Sequence, residues 1–133
     1  MKRIAIVEDN EDSRLLIRAI LKGLYEVIEY EDGESALAGL RVEKPDLLVL
    51  DISLPGMAGT EVLRRIRGDG SLSDLPVIAL TAHAMDGGRK EYVAAGFNDH
   101  IGKPIFDDGV LLTTIERWTR NGHRPGPSAD GFR

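Results

Sequence analysis

Five side chains that could do chemistry follow the ends of short apolar runs in this sequence. They are three carboxylates, a hydroxyl and an amine: Glu8, Asp9, Asp51, Thr81 and Lys103. Three negative charges in one shallow pocket would suppress each other's ionisation unless a cation compensated them. Mg²⁺ suits such a pocket, because it binds one or two carboxylates, keeps several waters and leaves room for a phosphate oxygen. If the fold brings these residues together, they predict a divalent-metal site that handles phosphate.

The expected metal ligands follow from residue type and side-chain length. Asp9 and Asp51 are the expected direct ligands of Mg²⁺, or of Mn²⁺ as an alternative, with the backbone carbonyl of Ser53 as a third ligand. Glu8 has the longer side chain and is expected to reach the ion through a water molecule.

Asp51 is the candidate nucleophile, since a carboxylate can attack phosphorus and form an aspartyl phosphate. Phosphoryl transfer then depends mainly on positioning and on charge neutralisation. Lys103 would place a positive charge beside one phosphate oxygen, and Thr81 would donate a hydrogen bond to another. Taken singly, each of these residues is more typical of a cap, a turn or a surface position. Together they favour a functional site, because every one falls at the same end of its own apolar run.

The apolar runs predict five strands. Three of them are continuous rather than alternating, which is typical of strands buried on both faces of a parallel sheet. The second run is more polar and predicts an edge strand. The runs are Ile4–Val7, Val27–Ile28, Leu47–Leu50, Val77–Leu80 and His100–Ile101.

Stretches with helical spacing separate these runs and predict five helices. Their expected ranges are 11–22, 34–42, 59–67, 88–95 and 107–120. Asn10 or Asp12 is the expected N-cap of the first helix, and Gly23 is expected to stop it. Three of the expected apolar faces are Leu15, Leu16, Ala19 and Ile20 on the first helix, Tyr92 and Val93 on the fourth, and Val110, Leu111, Thr114, Ile115 and Trp118 on the fifth.

This alternation predicts an α/β fold with a doubly wound parallel sheet covered on both faces. Ligands bind beyond the carboxyl ends of the strands in such sheets, so the five reactive residues are expected to meet at one edge.

Length and composition narrow the functional classes. The 133 residues allow one ordinary domain, expected over 1–120, followed by a tail at 121–133 whose composition predicts disorder. A net charge of -5 argues against a nucleic-acid partner. No stretch approaches the ~18 apolar residues of a membrane span, and the lack of cysteine excludes disulfides and thiolate metal sites. We expect a cytoplasmic protein with no nucleic-acid or membrane partner.

Four motifs together resemble the receiver domains of two-component response regulators, over roughly residues 2–120. The motifs are Val7-Glu8-Asp9-Asn10, Leu50-Asp51-Ile52-Ser53-Leu54-Pro55-Gly56-Met57, Leu80-Thr81-Ala82 and Lys103-Pro104. The resemblance implies a flavodoxin-like (βα)5 fold with strand order 2-1-3-4-5. It also implies that Asp51 accepts phosphate from a phosphohistidine on a histidine kinase or a histidine phosphotransfer protein. The chain would then act as a signalling phosphoacceptor and not as a turnover enzyme.

The same resemblance assigns roles to individual residues. Glu8 and Asp9 resemble the family's acidic metal-binding pair, Thr81 its switch hydroxyl, and Lys103 the counter-charge of the phosphoryl group. The Lys103-Pro104 bond resembles the family's cis peptide. Partners are expected at the face built from the fourth helix, the fifth strand and the fifth helix, on a monomer or weak dimer; the identity of the downstream partner is left open.

His100 departs from the family pattern. Three residues before the lysine, the family usually has a Tyr or Phe that rotates inward on activation. An imidazole is smaller, forms hydrogen bonds and titrates near neutral pH. Two hypotheses stand beside each other: His100 is a switch residue with altered, pH-sensitive coupling, or it is a partly exposed polar residue without a switching role.

Two further segments carry weaker predictions. Asp86-Gly87-Gly88 precedes the fourth helix, and each glycine destabilises helical structure there by roughly 1 kcal/mol. The segment is expected to be either a simple loop or a mobile segment that becomes ordered on activation. Ser53 and His83 lie two residues beyond Asp51 and Thr81, and in the family those positions flank the path of the hydrolytic water.

Several alternative functions remain open from the sequence. The same module could stand alone or be part of a hybrid histidine kinase or a larger regulator. A phosphatase with an aspartate nucleophile typically needs a second Asp two residues after the first, where this chain has Ser53. A flavin-binding module would need a Ser/Thr/Gly-rich loop after the first strand, where Glu8-Asp9-Asn10 stands. A degenerate receiver is disfavoured because every expected site residue is present.

Overall fold

Five strands alternate with five helices in the part of the chain that the computed structural model describes, residues 1–82, 89–103, 105 and 108–119. The strands are β1 (Arg3–Val7), β2 (Glu26–Tyr30), β3 (Leu47–Asp51), β4 (Val77–Thr81) and β5 (Asp99–Gly102). The helices are α1 (Glu11–Leu21), α2 (Gly33–Val42), α3 (Gly59–Gly68), α4 (Arg89–Ala95) and α5 (Asp108–Thr119). All ten elements were predicted from the sequence, and no end differs from its prediction by more than two residues.

The strands form one parallel sheet in the order β2-β1-β3-β4-β5. This order and the (βα)5 fold confirm the expectation drawn from the motif resemblance. β1 pairs with both β2 and β3, so the chain reverses its direction of winding between β1 and β3. Ligands of open α/β sheets bind at this kind of switch point, outside the carboxyl ends of the strands. β2 lies at an edge of the sheet, as its polarity predicts.

Each central strand contributes side chains to two separate hydrophobic cores, one on each face of the sheet, which explains why the apolar runs are continuous. Successive side chains of a strand point to opposite faces of the sheet. Every residue of β3 and β4 is buried. One core includes Ala5, Val7, Leu48, Leu50, Val77 and Ala79 together with residues of α2 and α3. The other includes Ile4, Ile6, Leu47, Val49, Ile78 and Leu80 together with residues of α1 and α5.

Side-chain caps start the first two helices. Asn10 caps α1, because its side chain accepts a hydrogen bond from the Ser13 N–H at 2.9 Å, and Asp32 does the same for the Ser35 N–H at 2.8 Å. Of the two candidate caps for α1, the structure uses Asn10. Gly23 has a φ of 83°, so it supplies the left-handed residue that turns the chain after α1.

The predicted apolar face of α1 was wrong except for Ile20, which is partly buried and packs against the core. The structure buries Ile17 and Leu21, whereas Leu15 and Leu16 are 52% and 41% exposed. The helix is apolar on more than one side, so spacing alone permits two interpretations. Contact with the core beneath the sheet selects the side that carries Ile17 and Leu21.

The expected faces of α4 and α5 were correct in part. Tyr92 of α4 is fully buried, but Val93 is about half exposed. Leu111, Thr114 and Ile115 of α5 are buried, whereas Val110 is about half exposed. Each helix therefore presents a narrower apolar face to the sheet than its sequence suggests.

Several sequence predictions lie outside the described residues. They concern the tail at 121–133, the Lys103-Pro104 peptide, the Asp86-Gly87-Gly88 segment and His83. Among the described residues, no helix combines the length and the hydropathy needed to cross a membrane.

Gly59 lets α3 approach the end of β3 closely enough to touch its backbone. A Cβ at this position would overlap the Asp51 carbonyl oxygen and would lie 2.7 Å from the Cα of Ile52. We therefore expect Gly59→Ala to lower the free energy of unfolding by about 1–3 kcal/mol, the usual effect of overpacking. Urea unfolding monitored by circular dichroism measures this change.

Gly68→Ala is the matched control, since a Cβ on Gly68 at the other end of α3 would meet no atom within 4 Å. It should leave the stability unchanged or raise it by up to about 1 kcal/mol. Equal effects of the two substitutions would contradict the close contact between α3 and β3.

Candidate functional site

The carboxyl ends of the central strands bring the predicted acidic residues into one cluster. Glu8 and Asp9 follow β1, and Asp51 is the last residue of the neighbouring β3. One carboxylate oxygen from each of the three lies within 4.8 Å of the others. This spacing and the all-oxygen donor set fit a hard divalent cation.

Glu8 is fully buried, and protein donors hold both of its carboxylate oxygens. Oε2 accepts a hydrogen bond from the Asn10 N–H at 3.0 Å, and Oε1 lies 2.9 Å from the Lys103 Nζ. Burial raises the pKa of the Glu8 carboxyl above its ordinary value, because it outweighs the opposing effects of these two donors. The fold therefore pays a desolvation penalty for the negative charge on Glu8.

Asp51 is buried with only 1% of its surface exposed, and both of its carboxylate oxygens have fixed partners. Oδ1 accepts the Ser53 N–H at 3.0 Å, and Oδ2 lies 3.2 Å from the Lys103 Nζ. These contacts hold the carboxylate in one orientation. Each carboxylate oxygen has a second lone pair that remains able to bind a metal or attack an electrophile.

Lys103 bridges the two buried carboxylates with its ammonium group. Its backbone N–H donates to the Thr81 carbonyl at 2.7 Å, which places the lysine directly after β5. Burial lowers the pKa of Lys103, but the hydrogen bond to Glu8 and the charges of Asp51 and Glu8 outweigh burial, so its pKa is raised above the ordinary value. Lys103 is therefore a permanent positive charge at this site.

Thr81 ends β4 at the same edge of the sheet and is 8% exposed. β4 lies between β3 and β5, and Thr81 pairs in register with Gly102. The residue therefore sits between the strand that carries Asp51 and the strand that leads to Lys103. Ser53 is beside the site as well, through its N–H contact to Asp51.

His100 lies on β5 and stacks on Tyr92 of α4, with ring centroids 4.7 Å apart and an interplanar angle of 22°. Its Nδ1 is buried and has no hydrogen-bond partner among the described residues. His100 thus joins β5 to α4 through a ring contact. Its pH-sensitive coupling stays a prediction.

Arg14 is a further residue near the site, and its role was not predicted from the sequence. It lies in α1, and its guanidinium donates to the backbone carbonyl of Glu8 at 2.7 Å and to the Glu29 carboxylate at 3.2 Å. A cation near the start of a helix is disfavoured by the helix dipole. That position was the one available signal that Arg14 has a specific partner.

Comparisons with known proteins support the same interpretation of the fold. The family model for the response regulator receiver domain matches residues 4–116. The polar-differentiation response regulator DivK of Brucella anthropi is 40% identical over 105 residues, which cover 78% of this chain and 85% of that protein.

Relatives also occur within larger proteins. Sensor protein GacS of Pseudomonas syringae pv. syringae is 34% identical over 121 residues, which are 88% of this chain but only 13% of that protein. The chain therefore spans a small part of the length of this sensor protein.

A solved structure of similar fold is the receiver domain of sensor histidine kinase PA1611 from Pseudomonas aeruginosa PAO1, with magnesium coordinated in its active-site cleft. It superposes with a TM-score of 0.79 at 34% identity, over 89% of this chain and 97% of that chain. The sheet order, the acidic cluster and these matches agree, and the chain therefore belongs to the response regulator receiver domain family, a family of phosphoacceptor signalling modules.

Proposed function

We propose that Asp51 is the residue of this chain that accepts a phosphoryl group. The observation that carries the proposal is the position of its carboxylate, which lies within 4.8 Å of Glu8 and Asp9 oxygens and 3.2 Å from the Lys103 ammonium. A carboxylate that lies beside an ammonium group, within an acidic cluster able to hold a metal ion, has what phosphoryl transfer requires, namely positioning and charge neutralisation.

The metal proposed for the site is Mg²⁺, with Mn²⁺ as an alternative. Asp9 and Asp51 would bind it directly, with the Ser53 backbone carbonyl as a third ligand, and Glu8 would act through water. The hydrogen bonds that already hold both oxygens of Glu8 support its indirect role. The exposed position of Asp9 supports access from solvent. When bound, the ion supplies positive charge to the phosphate oxygens.

The donor proposed is a phosphohistidine on a histidine kinase or a histidine phosphotransfer protein. An oxygen of Asp51 forms a bond to phosphorus as the P–N bond of the phosphohistidine breaks, and the donor imidazole leaves with a proton from solvent. Lys103 neutralises charge on one phosphate oxygen. The Thr81 hydroxyl donates a hydrogen bond to a further oxygen.

The output proposed is a change in the face formed by α4, β5 and α5. Thr81 lies beside β5, and β5 contacts α4 through the stacked rings of His100 and Tyr92. A shift of Thr81 toward the phosphoryl group would therefore act on neighbouring residues of that face. A partner protein that senses this face would bind differently after phosphorylation, whether the chain works as a monomer or as a weak dimer.

The chain is proposed to act as a stoichiometric phosphoacceptor that assists its own phosphorylation and dephosphorylation, and not as a phosphatase. Ser53 occupies the place where an aspartate phosphatase would need a second carboxylate, and a serine cannot serve as the acid and base of that reaction. Receiver domains of both kinds, free-standing like DivK and embedded like that of GacS, match this chain. The proposed acceptor site is the same in either setting.

Phosphorylation tests the proposal directly. Incubation with acetyl phosphate and Mg²⁺ should raise the intact mass by about 80 Da, the mass of one phosphoryl group. The adduct should be lost without Mg²⁺ and in Asp51→Asn. Asp46→Asn removes a carboxylate that lies outside the site and should leave the adduct intact. An adduct that survives in Asp51→Asn would place the acceptor elsewhere.

Thr81→Val tests the role of the hydroxyl, because valine keeps the shape of threonine but cannot donate. We expect Asp51 to be phosphorylated about tenfold more slowly, as for loss of one hydrogen bond to a charged group. Phosphorylation-induced amide shifts in β5 and α4 should shrink, as measured by NMR. Thr114→Val is the control, since the Thr114 hydroxyl donates to the Val110 carbonyl within α5. Full-sized shifts in Thr81→Val would rule out a coupling role.

Glu8→Gln tests the electrostatic penalty at the site. The pKa of Glu8 lies above its ordinary value of 4.5 in the folded protein, so its ionised form destabilises the metal-free fold. We expect Glu8→Gln to raise the free energy of unfolding in EDTA at pH 7. The gain should be absent below pH 4.5, should grow as the pH rises from 4.5 to the folded-state pKa of Glu8, and should level off above that pKa.

Urea unfolding across this pH range measures the effect of Glu8→Gln. Glu11→Gln removes an exposed carboxylate nearby and should change little. Added Mg²⁺ should stabilise the wild-type protein more than Glu8→Gln. A lower stability of metal-free Glu8→Gln at pH 7 would show that the ion pair with Lys103 outweighs the burial penalty.

A further inference from the structure

Arg14 connects the loop that carries the acidic pair to the edge strand of the sheet. One guanidinium nitrogen, Nη1, donates to the Glu8 carbonyl oxygen at 2.7 Å, and Nε donates to the Glu29 carboxylate on β2 at 3.2 Å. Both side chains are largely covered, with 14% of Arg14 and 22% of Glu29 exposed. Reduced exposure to solvent strengthens these contacts relative to an ordinary surface ion pair.

The Glu8 carbonyl matters because it belongs to the same planar peptide unit as the Asp9 N–H. A donor that fixes this carbonyl also fixes the orientation at which the chain enters Asp9. The Glu8 N–H on the other side donates to the Tyr30 carbonyl at 3.1 Å, and the Asn10 N–H donates to Glu8 Oε2 at 3.0 Å. Arg14 therefore completes a set of bonds that holds the backbone on both sides of Asp9, an exposed residue that has to supply a metal ligand.

We propose that Arg14 is a positioning residue for the metal site, that Glu29 holds its guanidinium in place, and that Arg14 thereby raises the affinity of the site for divalent cations. The inference rests on the proposed function in one respect, namely that the acidic cluster binds Mg²⁺. It adds a residue on α1 and a residue on the edge strand β2 to the elements that determine metal affinity.

The positive charge of Arg14 and its positioning role predict opposite effects of its removal on Mg²⁺ affinity. A guanidinium near a cation site repels the cation, so removal of the Arg14 side chain should tighten Mg²⁺ binding if Coulomb interaction alone matters. The same removal breaks the bond to the Glu8 carbonyl and frees the peptide that orients Asp9, so it should weaken Mg²⁺ binding if positioning dominates.

Arg18 offers a matched control on the same helix. It pairs with the same carboxylate, since its Nη1 lies 2.7 Å from Glu29 Oε2, and its side chain is 52% exposed. The hydrogen bonds of the described residues connect Arg14, and not Arg18, to the Glu8 carbonyl. Arg18→Met therefore removes the same charge from the same partner and leaves the bond from Arg14 to Glu8 in place.

The experiment is a Mg²⁺ titration of the full chain followed by amide NMR shifts of residues 8–10 and by calorimetry. We expect Arg14→Met to raise the dissociation constant for Mg²⁺ by about tenfold, the lower end of the usual effect for partners that orient metal ligands. Arg18→Met should leave it unchanged. In phosphorylation by acetyl phosphate, Arg14→Met should need about tenfold more Mg²⁺ for half-saturation, with the same rate at saturation.

Arg14→Lys keeps the proposal testable if Arg14→Met does not fold. Lysine preserves the charge but lacks the planar fork that reaches two partners at once. Weaker Mg²⁺ binding by Arg14→Lys would support positioning, since the net charge has not changed. Glu29→Gln leaves the Arg14 bond to Glu8 available but loosens the guanidinium, so its Mg²⁺ affinity should fall between those of the wild-type protein and Arg14→Met.

The outcomes separate the two proposals. If the wild-type protein does not bind Mg²⁺, the metal proposal itself fails. If it does bind, and Arg14→Met folds with unchanged or tighter Mg²⁺ binding, the positioning role is overturned and the metal site stands; if Arg14→Met does not fold, the same result for Arg14→Lys overturns it. Lower stability of Arg14→Met in urea at an unchanged dissociation constant would show that Arg14 is merely structural.

Discussion

The ammonium of Lys103 joins two buried carboxylates, Glu8 and Asp51, and this bridge constrains the rest of the structure. Two negative charges can stay buried side by side only when a fixed positive charge compensates them. Lys103 reaches this position because its N–H is bonded to the Thr81 carbonyl at 2.7 Å, directly after the paired ends of β4 and β5. The register of the sheet therefore decides the electrostatics of the site.

The architecture places this polar cluster at the carboxyl ends of the strands, outside the two hydrophobic cores. β3 and β4 are buried along their whole length, and helices cover both faces of the sheet. Polar groups that must reach solvent can only leave the sheet at the ends of its strands. Gly59 allows α3 to touch the backbone beside Asp51, and Arg14 fixes the Glu8 carbonyl from α1. The two faces of the sheet thus both contribute to holding the site.

Side-chain hydrogen bonds also hold the amino ends of β4 and β5, next to the proposed output face. Arg67 donates to the Gly96 carbonyl at 2.9–3.0 Å and to the Asn98 side chain at 2.9 Å, and the same Asn98 oxygen accepts the Val77 N–H at 2.8 Å. Buried Asp99 accepts from α5 as well. The amino ends of β4 and β5 are therefore bonded to α3 and α5. A change at Thr81 would act mainly on the carboxyl end of β5, where Thr81 pairs with Gly102.

The sequence alone determined the number, order and type of the elements. Continuous apolar runs mark buried strands, and N-cap residues and glycines mark where helices begin and end, because these are local requirements of each segment. The runs also located Asp51, Thr81 and Lys103, because parallel strands end at a common edge. The strand order itself came from motif resemblance. Local spacing failed for α1, where a helix apolar on several sides has no unique face until it meets the sheet. Only the tertiary structure could show Arg14 against the Glu8 carbonyl and His100 stacked on Tyr92, because those contacts depend on the separation and rotation of packed elements, which sequence periodicity does not encode.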